Sequence, residues 1–242
     1  MVKKIVGTGV LLVLALALQA GVKMYTLKSP DGKVKLEVTA GQGIAYSLFY
    51  DGRLLLKPSR IALHTDLPEA DHWENIRITG TKQRHVSETV QAPFYRVKEF
   101  GIDCNELELR LNNGFSLLMR AYNDGMAYRF VAGRKGEMTV VEERAEFNFA
   151  DDFEAYIPYS TNPKDPWNMA FQNFYTKAPL TQYNTELPAF LPLTVDAGAV
   201  KLTLLESDLE AYPGMFVCGD GKTPALKGVF AAYPQETFKN KW

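Results

Sequence analysis

The chain has 242 residues, of which 46% are hydrophobic and 12% aromatic, enough for one large core or two smaller ones. Its 27 Lys and Arg residues nearly balance its 28 Asp and Glu residues, and no basic run or stripe is present. A near-neutral chain without a basic patch argues against nucleic acid as a partner.

The first twenty residues differ from the rest and predict a secretory signal peptide. Lys3 and Lys4 precede an almost wholly apolar run over residues 5–18, and Ala20 provides a small residue for cleavage, with Ala17 as the second choice. The run is short for a membrane span, and no cysteine near the cleavage region could carry a lipid anchor. We therefore expect residues 1–20 to direct export to the periplasm or beyond, and residues 21–242 to form one domain without a membrane span.

Strand patterns and turn signals then alternate along the chain. Asp51-Gly52 between two apolar runs predicts a hairpin, and so does Asn123-Asp124-Gly125, which we expect to supply positive φ angles. The strands are predicted at residues 34–39, 45–50, 53–56, 76–79, 94–100, 106–111, 115–120, 126–131, 138–149, 191–195, 200–204 and 228–233. No segment has a sustained helical period, so the predicted fold class is all-β, a sandwich or barrel.

Residues 158–192 break this pattern, because six prolines mix there with aromatic side chains. Prolines disfavour central strands, while the aromatic residues favour an ordered insertion over disorder. Long ordered loops on a β-scaffold often bind ligands, and flat apolar rings can stack on pyranose sugars. The candidates for such stacking are Trp73, Trp167, Phe174 and Tyr175. Packing within the core is the alternative for each of them.

The residues give no pattern for catalysis or for a metal site. His64, His72 and His85 are scattered without ligand spacing, and no nucleophile elbow, phosphate loop or dinucleotide fingerprint is present. Neighbouring acids such as Glu142-Glu143, Asp151-Asp152 and the pair Glu206 and Asp208 are typical of solvated loops, so no catalytic residue is assigned. Cys104 and Cys218 could pair in an oxidising compartment or remain two free thiols.

Four stretches carry a resemblance to a known family. They are Ser29-Pro-Asp-Gly-Lys33, Tyr50-Asp-Gly-Arg53 leading to Pro58-Ser-Arg60, Arg120-Ala-Tyr-Asn-Asp-Gly-Met-Ala-Tyr-Arg-Phe130, and Glu206-Ser-Asp-Leu-Glu-Ala-Tyr-Pro-Gly-Met215. In order and spacing they resemble the amino-terminal domain of glycoside hydrolase family 97, exported α-glucosidases and α-galactosidases of Bacteroidetes. The resemblance implies an antiparallel super-sandwich of the galactose mutarotase-like fold, with residues 158–192 as a long insertion.

In that family the sandwich packs on a (β/α)8 barrel that carries the paired catalytic acids. The resemblance therefore implies that this chain, which stops at Trp242, is inactive alone and that its partners are such a barrel and α-linked glucosides or galactosides. Among the aromatic candidates, Trp167, Phe174 and Tyr175 are the residues that we expect to contact carbohydrate. The family's calcium ligand aligns with Gln172 of Phe171-Gln-Asn-Phe-Tyr175, where a Glu is usual; a neutral amide would bind Ca²⁺ more weakly.

Two other functions remain open from the sequence. A free-standing carbohydrate-binding module would use residues 167–175 without any catalysis. An aldose epimerase would need a histidine and a carboxylate converging in a cleft, and the three histidines all precede the central hairpin without a matching motif. The amino-terminal domain of an α-glycosidase is the function that we predict.

Overall fold

The computed structural model describes residues 22–167, 173–207, 209 and 212–232, which form antiparallel sheets. These residues fall into two compact units, the first built from residues 22–54 and 62–140, the second from residues 55–61 and the described residues after 140. The predicted all-β fold class is confirmed. The predicted signal peptide, residues 1–20, lies outside the described residues and stays a prediction.

The strands of the first unit pair in two runs. One has the order β1-β2-β3-β4 and the other the order β5-β6-β7-β8. The strands are β1 (Lys23–Lys28), β2 (Val34–Gly41), β3 (Gly43–Tyr50), β4 (Arg53–Thr65), β5 (Ile78–Gln91), β6 (Glu99–Leu111), β7 (Phe115–Tyr122) and β8 (Gly125–Ala132). β1 packs near β6 and β2 near β7, which places the sheets face to face, as in a sandwich.

Strict alternation of side chains explains why these strands bury one face. In β2, Val34, Leu36 and Val38 are buried, while the residues between them are half-buried. In β7, Leu117 and Met119 are likewise buried. The apolar faces of the two sheets therefore form the core of the first unit.

The opposite face of the β5–β8 sheet is polar and carries a cross-strand ion triad. Glu106 lies directly across from Arg84 on one side and from Arg120 on the other. The nitrogen–oxygen distances are 2.6 Å from Arg84 and 2.8 Å from Arg120. Burial alone would raise the pKa of Glu106, but the hydrogen bonds from both guanidinium groups outweigh it and hold the pKa below its usual range.

The hairpin of β5 and β6 is longer than the strand next to it. β5 and β6 pair from Ile78 and Leu111 to Gln91 and Glu99, whereas β7 pairs with β6 no farther than Cys104. The prediction of a strand at residues 94–100 is wrong, because residues 92–98 form the connecting turn, closed by the Ala92 amide donating to Lys98 O at 2.7 Å. Its apolar residues are exposed at a turn and do not alternate across a sheet.

The two predicted tight hairpins form, with different turns. At Asp51-Gly52 both residues have positive φ, 48° and 78°, as a two-residue hairpin turn favours. At the other turn Tyr122 pairs with Gly125, and none of residues 123–125 has a positive φ, so that detail of the prediction is wrong. Instead Asn123 Oδ1 accepts a hydrogen bond from the Asp31 amide at 3.0 Å, which joins the turn to the Ser29-Pro-Asp-Gly-Lys33 turn.

The second unit, which includes residues 55–61 of β4, also contains two runs of paired strands. One has the order β4-β9-β15-β14 and the other the order β11-β10-β12-β13. The strands after β8 are β9 (Val140–Asn148), β10 (Glu154–Ile157), β11 (Thr176–Pro179), β12 (Leu193–Ala197), β13 (Val200–Leu204), β14 (Met215–Gly219) and β15 (Ala225–Phe230). Isolated bridges of Ala189 with Tyr159 and with Val217 connect the loop after β10 to β14.

The structure answers two further questions that the sequence left open. Cys104 and Cys218 are free thiols, which resolves the alternative of a disulfide. Trp73 is 3% exposed and its indole Nε1 donates to Leu63 O at 3.0 Å, so it is a packing residue and not a sugar platform. Among the described residues, no helix has the length and apolar character needed to cross a membrane.

Candidate functional site

The candidate site is the segment between β10 and β12, which corresponds to the predicted proline- and aromatic-rich insertion. It is ordered in its described parts, residues 158–167 and 173–192. Its one strand, β11, lies at the edge of its sheet, in keeping with the prolines that disfavour a central position. A short 3-10 helix, Leu180–Gln182, follows β11 and leads into the residues that hold the segment in place.

Tyr183 holds this segment to β14. Its ring is buried, and its hydroxyl lies 2.7 Å from Val217 O and 3.1 Å from Leu187 O. Burial raises the pKa of the Tyr183 phenol, so the group stays protonated and able to donate. Gly219 passes directly against the Tyr183 ring, since a Cβ on Gly219 would lie 2.7 Å from Tyr183 Cγ. The segment therefore has a rigid base in the second unit.

Tyr159 supplies a second point of attachment. Its hydroxyl accepts a hydrogen bond from the Asn184 amide at 2.7 Å, and its ring packs edge-on against Tyr183 at 5.0 Å between centroids. Its carbonyl accepts a hydrogen bond from Asn173 Nδ2 at 2.9 Å. Asn173 is thus fixed immediately before Phe174 and Tyr175, two of the predicted sugar-contacting residues.

The three predicted sugar-contacting residues expose very different fractions of their side chains. Phe174 is 95% exposed, Tyr175 47% and Trp167 38%. Trp167 packs edge-on against Phe216 at 5.0 Å, whereas the Tyr175 hydroxyl lies 3.4 Å from Pro192 O. Within the described residues no ring contact joins Trp167 to Phe174 or Tyr175. Carbohydrate contact by these three residues stays a prediction.

The predicted metal ligand cannot be placed in the same way. Gln172 lies outside the described residues. Within the described ranges, no group of three or more His, Cys, Asp or Glu side chains is arranged to hold a metal ion. A calcium site would therefore need ligands beyond those of the described residues.

Sequence reasoning did not find an acid cluster that the second unit assembles from distant segments. The Tyr212 hydroxyl donates to Glu143 Oε2 at 2.6 Å, and the Met215 amide lies 2.8 Å from both carboxylate oxygens of Glu206. Burial raises the pKa of Glu143, and the charge of Glu206 adds to that effect. Burial likewise raises the pKa of Glu206. The first contact holds Tyr212 against β9, and the second joins Glu206 to the start of β14.

Replacing Glu143 by glutamine is expected to make the protein more stable at neutral pH. A carboxyl whose pKa is raised on folding adds stability below its unfolded pKa, near 4.5, and loses it as pH rises through the folded value. Glutamine mimics the protonated acid and keeps the acceptor for Tyr212. Urea unfolding should therefore give equal free energies of unfolding for the two proteins near pH 4 and a higher value for Glu143→Gln at pH 7.

The exposed neighbour Glu142 gives the matched control. Glu142→Gln should leave the free energy of unfolding unchanged at both pH values. A Glu143→Gln protein that is no more stable than wild type at pH 7 would show that the carboxylate is not desolvated as the geometry implies.

Comparisons with known proteins agree with this architecture. The model of the family described as glycosyl-hydrolase 97 N-terminal matches residues 27–239. A retaining alpha-galactosidase of Bacteroides thetaiotaomicron is 39% identical over 229 residues, covering 92% of this chain and 34% of that protein. A probable retaining alpha-galactosidase of Streptomyces bingchenggensis is 26% identical over 158 residues, covering 64% of this chain and 24% of that protein.

Solved structures show the same fold at low sequence identity. A glycoside hydrolase family 97 enzyme of Pseudoalteromonas sp. strain K8, in complex with panose, has a TM-score of 0.70 at 18% identity, covering 85% of this chain and 32% of its own. A beta-arabinopyranosidase has a TM-score of 0.73 at 20% identity, and the match covers 86% of this chain and 35% of that one. The chain thus spans about a third and about a quarter of the two curated relatives. Since the family model covers residues 27–239, the chain belongs to the glycosyl-hydrolase 97 N-terminal family.

Proposed function

We propose that this chain is the amino-terminal β-sandwich domain of an exported, retaining α-glycosidase that acts on α-linked galactosides. The observation that carries the proposal is the 39% identity, over 92% of this chain, to a protein named retaining alpha-galactosidase. In this role the domain packs on a catalytic barrel and shapes one wall of the sugar site. α-Glucosides are the other substrate class that the family resemblance leaves open.

The geometry of the acids supports a structural role over catalysis by this chain. Glycosidic cleavage needs two opposed carboxyl groups that are free to flank the bond. Glu143 and Glu206 bind Tyr212 and the Met215 amide, and Asp152 accepts hydrogen bonds from the amide and hydroxyl of Thr181 at 3.0 and 2.6 Å. These acids stabilise loops of the second unit, so the catalytic pair would come from the barrel.

A chimera tests the proposal. The chain replaces the matching third of the Bacteroides thetaiotaomicron enzyme, and hydrolysis of 4-nitrophenyl α-galactoside is measured. We expect kcat/KM within about tenfold of the natural enzyme, which is about 1.4 kcal/mol in transition-state stabilisation. The enzyme that lacks this third should be inactive. The rate of hydrolysis with this chain alone should not exceed the rate in buffer. Hydrolysis by the chain alone, or a folded but inactive chimera, would contradict the proposal.

We propose that any calcium binds only in the complete enzyme. The described residues do not form a metal site of their own. Gln172 would add one neutral oxygen to ligands that come from the barrel, and Ca²⁺ accepts such amide oxygens. The ion would contribute a fixed positive charge at the sugar site, and this chain would hold one of its ligands in position.

A carbohydrate-binding module is the second candidate, favoured by the near-complete exposure of Phe174. An exposed ring next to an anchored asparagine suits stacking on a sugar. Calorimetric titration of this chain with α-galactosides separates the two functions: the domain of an enzyme should give no measurable heat at millimolar sugar. A module should bind and lose binding in Phe174→Ala but not in Phe94→Ala, an exposed aromatic of the first unit.

A further inference from the structure

The strongest unexplained feature of the first unit is an exposed apolar tip on the β5–β6 hairpin. Beyond Cys104 the two strands continue without β7, as a two-stranded ribbon of residues 86–104. At its end Phe94 is fully exposed, and large fractions of Tyr95, Val97, Val90 and Phe100 are exposed, at 65%, 51%, 41% and 39%. Isolated exposed hydrophobic residues are normal, but five within eleven residues form a patch.

One face of the ribbon is mostly apolar and the other is polar. On the first face, the apolar pairs Val86–Cys104 and Val90–Phe100 lie on either side of the mixed pair Glu88–Ile102. The pairs Ser87–Asp103, Thr89–Gly101 and Gln91–Glu99 occupy the other. Val86 and Cys104 are buried at the base of the ribbon, whereas Val90 and Phe100, nearer the tip, are exposed. Period-two alternation of this kind is typical of a strand pair that packs one face on a partner.

The tip is held in shape before any partner arrives. The Tyr95 amide donates to Ala92 O at 3.0 Å, and Gln91 Nε2 donates to Glu99 Oε1 at 2.9 Å. The rings of Tyr95 and Phe100 pack at 5.5 Å between centroids. A preformed contact surface loses less conformational entropy on binding than a disordered one.

Size and charge indicate which kind of partner fits. The five side chains expose on the order of 500 Å², short of the ~800 Å² per partner typical of stable complexes between separate proteins. A patch of that size suffices when the partner is tethered on the same chain, because the effective concentration is then high. Arg96 and Lys98 flank the rings and form no ion pair with any described residue, so the partner surface should be apolar with carboxylates at its rim.

We propose that the ribbon tip, residues 90–100, docks into an apolar, acid-rimmed cleft of the catalytic domain that shares its polypeptide. This rests on the proposed function and names the surface through which the domain contacts its enzyme. The Bacteroides thetaiotaomicron relative is long enough to contain such a partner, since this chain spans only 34% of it. Two strands alone are marginally stable in water, so docking also supports the ribbon.

The test compares this chain alone with the chimera described above. Amide hydrogen exchange at residues 94–97 should slow at least tenfold in the chimera. Phe94→Ser with Tyr95→Ser should change the Tm of the chain alone very little, because both residues are exposed and only the Tyr95–Phe100 ring contact is lost, but it should clearly lower the Tm of the chimera. The matched control, Met24→Ser with Val131→Ser, changes two exposed residues of the same unit outside the ribbon and should alter neither Tm.

A second measurement does not depend on the chimera. The remaining part of the Bacteroides thetaiotaomicron enzyme, purified separately, should co-sediment with the wild-type chain and not with the Phe94→Ser, Tyr95→Ser chain. An active chimera with unchanged exchange at residues 94–97 would overturn the docking proposal alone, whereas slowed exchange in an inactive chimera would contradict the proposed function alone. Self-association of the isolated chain, or binding to phosphatidylglycerol vesicles, that the two serines abolish would assign the tip to another partner and overturn the proposal.

Discussion

Replacing Gly219 by alanine is expected to lower the free energy of unfolding by about 3 kcal/mol. The new Cβ would lie 2.7 Å from Tyr183 Cγ and 2.8 Å from Tyr183 Cβ, distances that non-bonded carbons do not adopt. Those atoms are the first two carbons of a buried side chain, and its hydroxyl donates to Val217 O. The Tyr183 ring therefore cannot move away from the new Cβ without losing that hydrogen bond. Urea unfolding followed by circular dichroism measures the loss.

Two further variants show whether the clash is the cause. Gly101→Ala places its Cβ in open space at an ordinary φ and should change stability by less than about 1 kcal/mol. In a Tyr183→Ala background the cost of Gly219→Ala should nearly vanish, because the ring that it meets is gone. Equal costs in the two backgrounds would place the strain elsewhere in β14.

Replacing Trp73 by alanine is expected to lower the free energy of unfolding by about 3–5 kcal/mol. The buried indole packs against Phe130 at 5.3 Å and Phe115 at 6.2 Å between ring centroids, and its Nε1 donates to Leu63 O. The change leaves a large cavity and an unpaired carbonyl in the core of the first unit. The measurement is again the free energy of unfolding in urea.

Trp167 is the matched control for this prediction. It is a tryptophan in the second unit, 38% exposed and with a ring contact to Phe216. Trp167→Ala should cost about 1 kcal/mol or less, because much of the ring is already in water. Similar losses for the two variants would mean that Trp73 is not a core residue.

The fold could be predicted where local signals and burial agree. β2, β7 and β8 alternate strictly and end at recognisable turns, so their positions were predicted to within a few residues. β5 was largely missed because it is an edge strand with polar residues on both faces. β14 was missed for the opposite reason: Met215, Phe216 and Val217 are all buried, and a continuous apolar run does not show period two.

The candidate site could be predicted only in outline. Prolines and aromatic residues marked the segment between β10 and β12, but nothing in a linear pattern shows that Tyr183 attaches it to Val217, 34 residues away. The contact of Tyr212 with Glu143 spans 69 residues and was invisible for the same reason. Trp73 and Trp167 had similar polar surroundings in the sequence, and only tertiary packing distinguishes a core residue from an exposed one.

The Arg84–Glu106–Arg120 triad has a consequence for the reach of the first unit. A slip of β6 by one residue would turn Glu106 toward the apolar core, and a slip by two against β7 would remove it from Arg120. Each two-residue slip would also advance or retract the far end of the hairpin by about 7 Å. The three charges therefore fix the register of β6, and with it the distance by which Phe94 projects from the sheet.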